Sequence, residues 1–157
     1  RGIRGIYNAV GCSTRTGDRI LDELERINLI TCIRRGRYRR RCRPTVAGFF
    51  TLVSNDEYRE RVLALGLRED VVKLIRIAGL FDYNYDKLRG LMNMYHSFYN
   101  SILLNNLPHV PYDLINIIKL FNTLTKNDAK YADIDSILPA INTLYNMIQC
   151  LTESLRR

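Results

Sequence analysis

Residues 11–48 read GCSTRTGDRILDELERINLITCIRRGRYRRRCRPTVAG, and the expected architecture follows from them. Gly11 suits the end of a helix, where a left-handed residue is needed. Ser13 stands where an N-cap belongs, its hydroxyl able to accept a backbone N–H of the next turn. Gly17, Ile20, Leu21, Leu24 and Ile27 then recur at helical spacing, which predicts an amphipathic helix over 13–28. Asn28 closes it, since Asn tolerates the left-handed conformation. Leu29–Ile33 is apolar and β-branched, hence a strand. Arg34–Arg43 carries seven arginines around Gly36. Arg40–Pro44 returns as a second strand, so a hairpin turns near Gly36–Arg37. Thr45 opens a further helix to about Val53.

Upstream, Ile3, Ile6, Tyr7 and Val10 predict a short amphipathic helix over 2–10. Downstream, Ser54-Asn55-Asp56-Glu57 has the form of a capping box for a helix reaching about Leu65. Helices are expected over 68–78, 83–107, 112–125 and 134–155, bounded by Gly66, Gly79, Pro108, Pro111 and the polar run Lys126–Asp128. In the last of these, Ile134, Ile137, Ile141, Leu144, Ile148, Leu151 and Leu155 alternate spacings of three and four, a heptad seam. Pro139 is expected in that helix's first turn rather than its interior. The chain therefore reads as mostly α with one small hairpin: a basic head over 1–53 and an all-helical domain over 54–157.

Composition agrees with a folded chain. Of 157 residues, 46% are hydrophobic and 25% charged, which excludes a disordered polyelectrolyte. Four cysteines are too few for a disulfide scaffold. The net charge of +8 is confined to residues 1–48, where twelve arginines face four acids; the remainder is neutral. A basic head on a neutral body points to a polyanionic partner. The longest uncharged stretch, Gly90–Tyr112, is too rich in Asn, His and Pro for a membrane span. No signal peptide is visible and the chain begins at Arg1, as expected of a fragment or processed form. A cytoplasmic location is expected, with no membrane partner.

The order helix, tight turn, amphipathic helix, strand, Arg-rich hairpin, strand, helix resembles the winged helix-turn-helix family of MarR-, PadR- and ArsR-like regulators. Gly11-Cys12-Ser13, Thr16, Leu21, Leu24 and Asn28-Leu29-Ile30 resemble its small turn, capped recognition helix with paired leucines and "G-L-I" exit, with Asn28 in place of the usual Gly. Pro44-Thr45-Val46-Ala47-Gly48 is similar to the "L-T-x-x-G" signature after the wing. The resemblance covers about residues 2–50. The family's usual preceding helix has no counterpart in this sequence, so either an upstream segment or a C-terminal helix would take its place. A core of residues 2–50 is small, which predicts tight packing against the helical body. What the resemblance implies is sequence-specific binding of double-stranded DNA by a dimeric transcriptional regulator.

A major groove admits one helix. The exposed face of 13–28 offers Ser13, Thr14, Arg15, Asp18, Arg19 and Asp22. Arg15 and Arg19 suit bidentate contacts to guanine, and Thr14 a thymine methyl or a phosphate. The competing reading is a solvated face on which Asp18 and Asp22 pair with neighbouring arginines. Strand alternation puts Arg39, Arg41 and Arg43 on one face of the hairpin and Tyr38, Arg40 and Cys42 on the other. Arg35, Gly36 and Arg37 form the tip. Arginines there suit phosphates or a narrow minor groove. The absence of an aromatic platform among them favours a duplex over a single strand. Ile141, Leu144, Ile148, Leu151 and Leu155 read as a dimer seam, or alternatively as one stripe of an intramolecular bundle, and the helical domain 54–157 is expected to serve dimerisation or the binding of a further protein partner.

Cys32 and Cys42 can face each other across the hairpin, and are expected as two thiols, a redox pair being the alternative. No Cys-x-x-Cys or His cluster suggests a metal. Neither His96 nor His109 has a Cys or Ser arranged with it for nucleophilic catalysis, and there is no phosphate-binding glycine motif. No enzymatic activity and no cofactor is expected. Tyr83, Tyr85, Tyr95, Phe98, Tyr99 and Tyr112 read as core, with an effector pocket as the alternative. Two other roles fit the same head: a plasmid, phage or viral replication or segregation protein, and a winged helix that docks on acidic protein surfaces.

Overall fold

Gly11, at φ +73°, ends α1 (Ile3–Val10), and Ser13 caps α2 (Thr14–Arg26) by accepting the Thr16 N–H at 3.2 Å. These elements belong to a computed structural model that describes residues 3–106 and 112–156. The expected breaks at Pro108 and Pro111, His109, and the side chains of Tyr99, Tyr112 and Leu151 lie outside the described residues. Asn28 adopts φ +61° and turns the chain from α2 into β1 (Ile30–Arg35). Gly36, at φ +62°, sits in the two-residue turn to β2 (Tyr38–Pro44).

The strands pair antiparallel, with Cys32 opposite Cys42 and Ile33 opposite Arg41. The register then shifts: Arg34 faces Arg39, leaving Arg40 as an extra residue in β2. Such a bulge reverses the alternation beyond it. Arg39 therefore leaves the face of Arg41 and Arg43, where simple alternation puts it. Its side chain is 7% exposed.

Thr45 joins head to body. It is 2% exposed, yet both its bonding capacities are used. Its hydroxyl donates to the Asn28 carbonyl at 2.7 Å and accepts the Gly48 N–H at 3.0 Å, capping α3 (Val46–Val53). Its N–H donates to the Leu29 carbonyl at 3.1 Å. A β-carbon on Gly48 would run into that carbonyl, so the Thr-x-x-Gly spacing has a local physical cause. Val46 N–H reaches the Ala132 carbonyl at 3.0 Å, and Thr45 bridges to Asp133.

The body comprises α4 (Asp56–Ala64), α5 (Glu69–Leu80), α6 (Tyr85–Asn106), α7 (Tyr112–Thr125), a 3-10 turn at Ala129–Tyr131 and α8 (Ile134–Arg156). Val46, Phe49, Phe50 and Val53 of α3 are buried in the same cluster as Leu74, Ile77, Leu88, Phe121, Leu124 and Ile141. The sequence boundary after Val53 thus runs through one continuous core. Removing water from such side chains stabilises by about 1.5–3 kcal/mol each.

Three local expectations change. Asn55, not Ser54, caps α4, accepting the Tyr58 N–H at 3.1 Å, while the Ser54 hydroxyl donates back to the Thr51 carbonyl. α5 continues through Gly79, and the break falls at Asp82 and Tyr83, both left-handed at φ +54° and +56°. Pro139 lies inside α8, beyond its first turn.

Candidate nucleic-acid interface

α1 and α2 touch through Tyr7 and Gly17. The Tyr7 ring covers Gly17 so closely that any β-carbon there would strike it. The hydroxyl donates to Asp18 at 2.6 Å. Burial, reinforced by the Asp18 carboxylate, pushes the Tyr7 phenol up to about 12. Asp18, a sequence candidate for DNA contact, is thereby engaged within the head. Ser13 is likewise occupied as the cap of α2.

A two-stranded hairpin alone is marginal in water, and this one is braced three ways. Cys32 and Cys42 are joined by a disulfide, where two thiols were expected; their directly opposed register allows it. Arg39 donates from Nε to Glu25 at 2.6 Å and also binds Asp22. Burial opposes the Arg39 charge, but Asp22 and Glu25 outweigh it and hold its pKa above the ordinary value. Arg34 adds a second guanidinium on Glu25 at 2.6 Å. Arg43 is ion-paired to Asp135 at the start of α8, fixing the hairpin's base to the body. Arg39 and Arg43 are thus removed from the outward-facing set.

The arginines left over are the informative ones. Arg15 and Arg19 lie exposed on α2; Arg35, Arg37, Arg40 and Arg41 lie exposed on the hairpin. None of the six makes an ion pair among the described residues. α2 therefore turns Glu25 toward the hairpin, with Asp22 at the exposed edge reached by Arg39, while Arg15 and Arg19 remain exposed without an acid partner among the described residues. The hairpin runs back along α2, so its turn ends beside the start of that helix. Thr14 and Asp18 share a cleft of about 320 Å³ with Arg4, Arg34, Arg37 and Tyr38. Tyr38 stands at this end at 79% exposed, a large aromatic among the arginines that the sequence reading did not single out.

The heptad residues divide. Ile141 and Leu144 are buried in the chain's own core at 0% and 2% exposed, and Ile148 packs on its edge. Leu155 is 87% exposed. Of the aromatic group, Tyr85 is core, bonding the Leu124 carbonyl at 2.8 Å, whereas Tyr95 and Phe98 are exposed. His96 contacts Asn100 at 3.2 Å one turn along α6. Among the described residues no His, Cys, Asp and Glu side chains gather to hold a metal ion, and no helix is long and apolar enough to cross a membrane.

No protein-family model, curated protein or solved structure matches this chain.

Proposed function

We propose that residues 3–53 form a winged helix-turn-helix that binds double-stranded DNA, and that the protein acts as a transcriptional regulator. One observation carries this reading: the unpaired arginines gather on the outer face of α2 and on the hairpin, whose turn adjoins the start of α2. That arrangement lets one duplex meet both. α2 enters the major groove with Thr14, Arg15 and Arg19 toward base edges. Arg35, Arg37, Arg40 and Arg41 lie on the flanking backbone or minor groove. The ion pairs and the disulfide hold the two elements in a fixed relation, so little order has to be gained on binding.

A homodimer belongs to the same proposal, with half-sites about one helical turn apart. The inner heptad residues are occupied by α5 and α7, so a two-fold contact would use the far end of α8, near Leu155. The test is fluorescence anisotropy of a duplex across a salt titration, with the mass of the complex measured alongside. Binding with a log–log slope of about −0.9 per phosphate neutralised is the expected result. No binding at low salt would defeat the proposal and leave the arginines to an acidic protein partner.

A further inference from the structure

We propose that Tyr38 is a wedge: on duplex DNA its ring enters the minor groove beside the α2 contact and partly unstacks one base step. The inference rests on the DNA-binding reading above and adds a deformation to it.

Tyr38 has no folding role in sight. It is 79% exposed, and among the described residues neither its ring nor its hydroxyl has a partner. A solvated hairpin end ordinarily calls for polar turn residues, and Gly36 and Arg37 already supply the turn. Its surroundings are those of a lever. Arg35 stands directly across the ladder and Arg37 precedes it, both without an acid partner and both able to hold phosphates on either side of an inserted ring. The next residue, Arg39, is locked onto Glu25 and Asp22, and the Cys32–Cys42 disulfide closes the strands behind it. The ring is therefore carried on a stiff support rather than a mobile loop.

Its position completes the argument. Tyr38 borders the same cleft as Thr14 and Asp18 in the first half of α2. A helix seated in the major groove by that half brings the hairpin end to the neighbouring minor groove. There, insertion of an apolar or aromatic side chain unstacks a step and kinks the duplex by about 20–90°. Pyrimidine–purine steps deform most easily, so T–A steps are the preferred site.

The experiment uses the full chain and an alternating T–A duplex with 2-aminopurine replacing some adenines, labelled at its ends for energy transfer. Wild type is expected to raise the 2-aminopurine fluorescence and bring the ends together. Tyr38→Ala should bind about tenfold more weakly, with an unchanged salt slope and neither optical change. Tyr38→Phe should retain both. If wild type binds with no rise in fluorescence, or Tyr38→Ala keeps the rise, the wedge is wrong while DNA binding stands. Tighter binding to the single strand than to the duplex also overturns it, the ring then being a stacking platform. If wild type binds no duplex at low salt, both readings fall together.

Discussion

Arg39 and Glu25 are joined by a 2.6 Å hydrogen bond between the second strand of the hairpin and α2, with side chains 7% and 24% exposed. The contact exists only because the bulge at Arg40 turns Arg39 inward. Arg39→Ala should lower stability by about 2 kcal/mol, the size of a charge-assisted hydrogen bond, with little added by the exposed Asp22. Arg39→Lys should recover only part, because an ammonium cannot span two carboxylates as a guanidinium does. Urea denaturation measures both. The salt slope of DNA binding should not change in either variant.

Tip and outer-strand arginines should behave oppositely. Arg37→Ala and Arg41→Ala should each reduce the log–log salt slope by about 0.9 and leave the Tm unchanged. Arg15→Ala and Arg19→Ala should relax preference at particular base pairs. Arg43→Ala should destabilise the fold instead, because its partner is Asp135. A slope that survives the loss of both Arg37 and Arg41 would remove the hairpin from the interface.

Reducing the Cys32–Cys42 bond reopens a loop with a sequence separation of 10. Loop-closure entropy predicts a loss of about 3 kcal/mol. Thermal unfolding with and without a phosphine reductant should show this, and the Cys32→Ser/Cys42→Ser double variant should match the reduced protein. Cys12 and Cys150 are free, so labelling oxidised protein should modify at most those two.

Gly48→Ala and Gly17→Ala should both destabilise, Gly48→Ala more. At position 48 the new methyl meets the Leu29 carbonyl, which is held by the Thr45 N–H. At 17 it meets the Tyr7 ring, which can tilt at the expense of its bond to Asp18. Overpacking of this kind costs about 1–3 kcal/mol, read as a shift in the urea midpoint.

Alkaline pH should unfold the chain earlier than its lysines and arginines would suggest. Tyr7 and Tyr85 are both raised from the ordinary 10.0 to about 12, chiefly by burial. Below pH 10 both phenols are neutral in either state and their contribution is intact. Between about pH 10 and 12 the unfolded chain loses these protons first, so stability falls as pH rises. Circular dichroism across this range should show a later transition for Tyr85→Phe only if the lost bond to Leu124 costs less than the relieved titration.

Much of the head was legible because local chemistry repeats in register with structure. Ser13, Asn28, Gly36 and Thr45 each do what their residue type favours: cap, left-handed turn, tight turn, cap. The candidate interface was legible less completely. The gathering of arginines was visible, but not which of them are free, since Asp22, Glu25 and Asp135 claim theirs across 17, 14 and 92 positions of sequence. A disulfide between Cys32 and Cys42 was open in the sequence and decided by the pairing register.

The order of elements, the confinement of charge to the first third and the apolar stripes that make the core are all written in the chain's residue pattern. These follow from periodicity and residue type, which act over a few positions. Long-range contacts settle the rest: α3 belongs to the body's core, Ile141 and Leu144 face inward, and one extra residue in β2 turns Arg39 inward. Each depends on which surfaces meet. A bulge reverses every side chain beyond it, and a buried stripe looks the same in sequence whether its partner is the same chain or another.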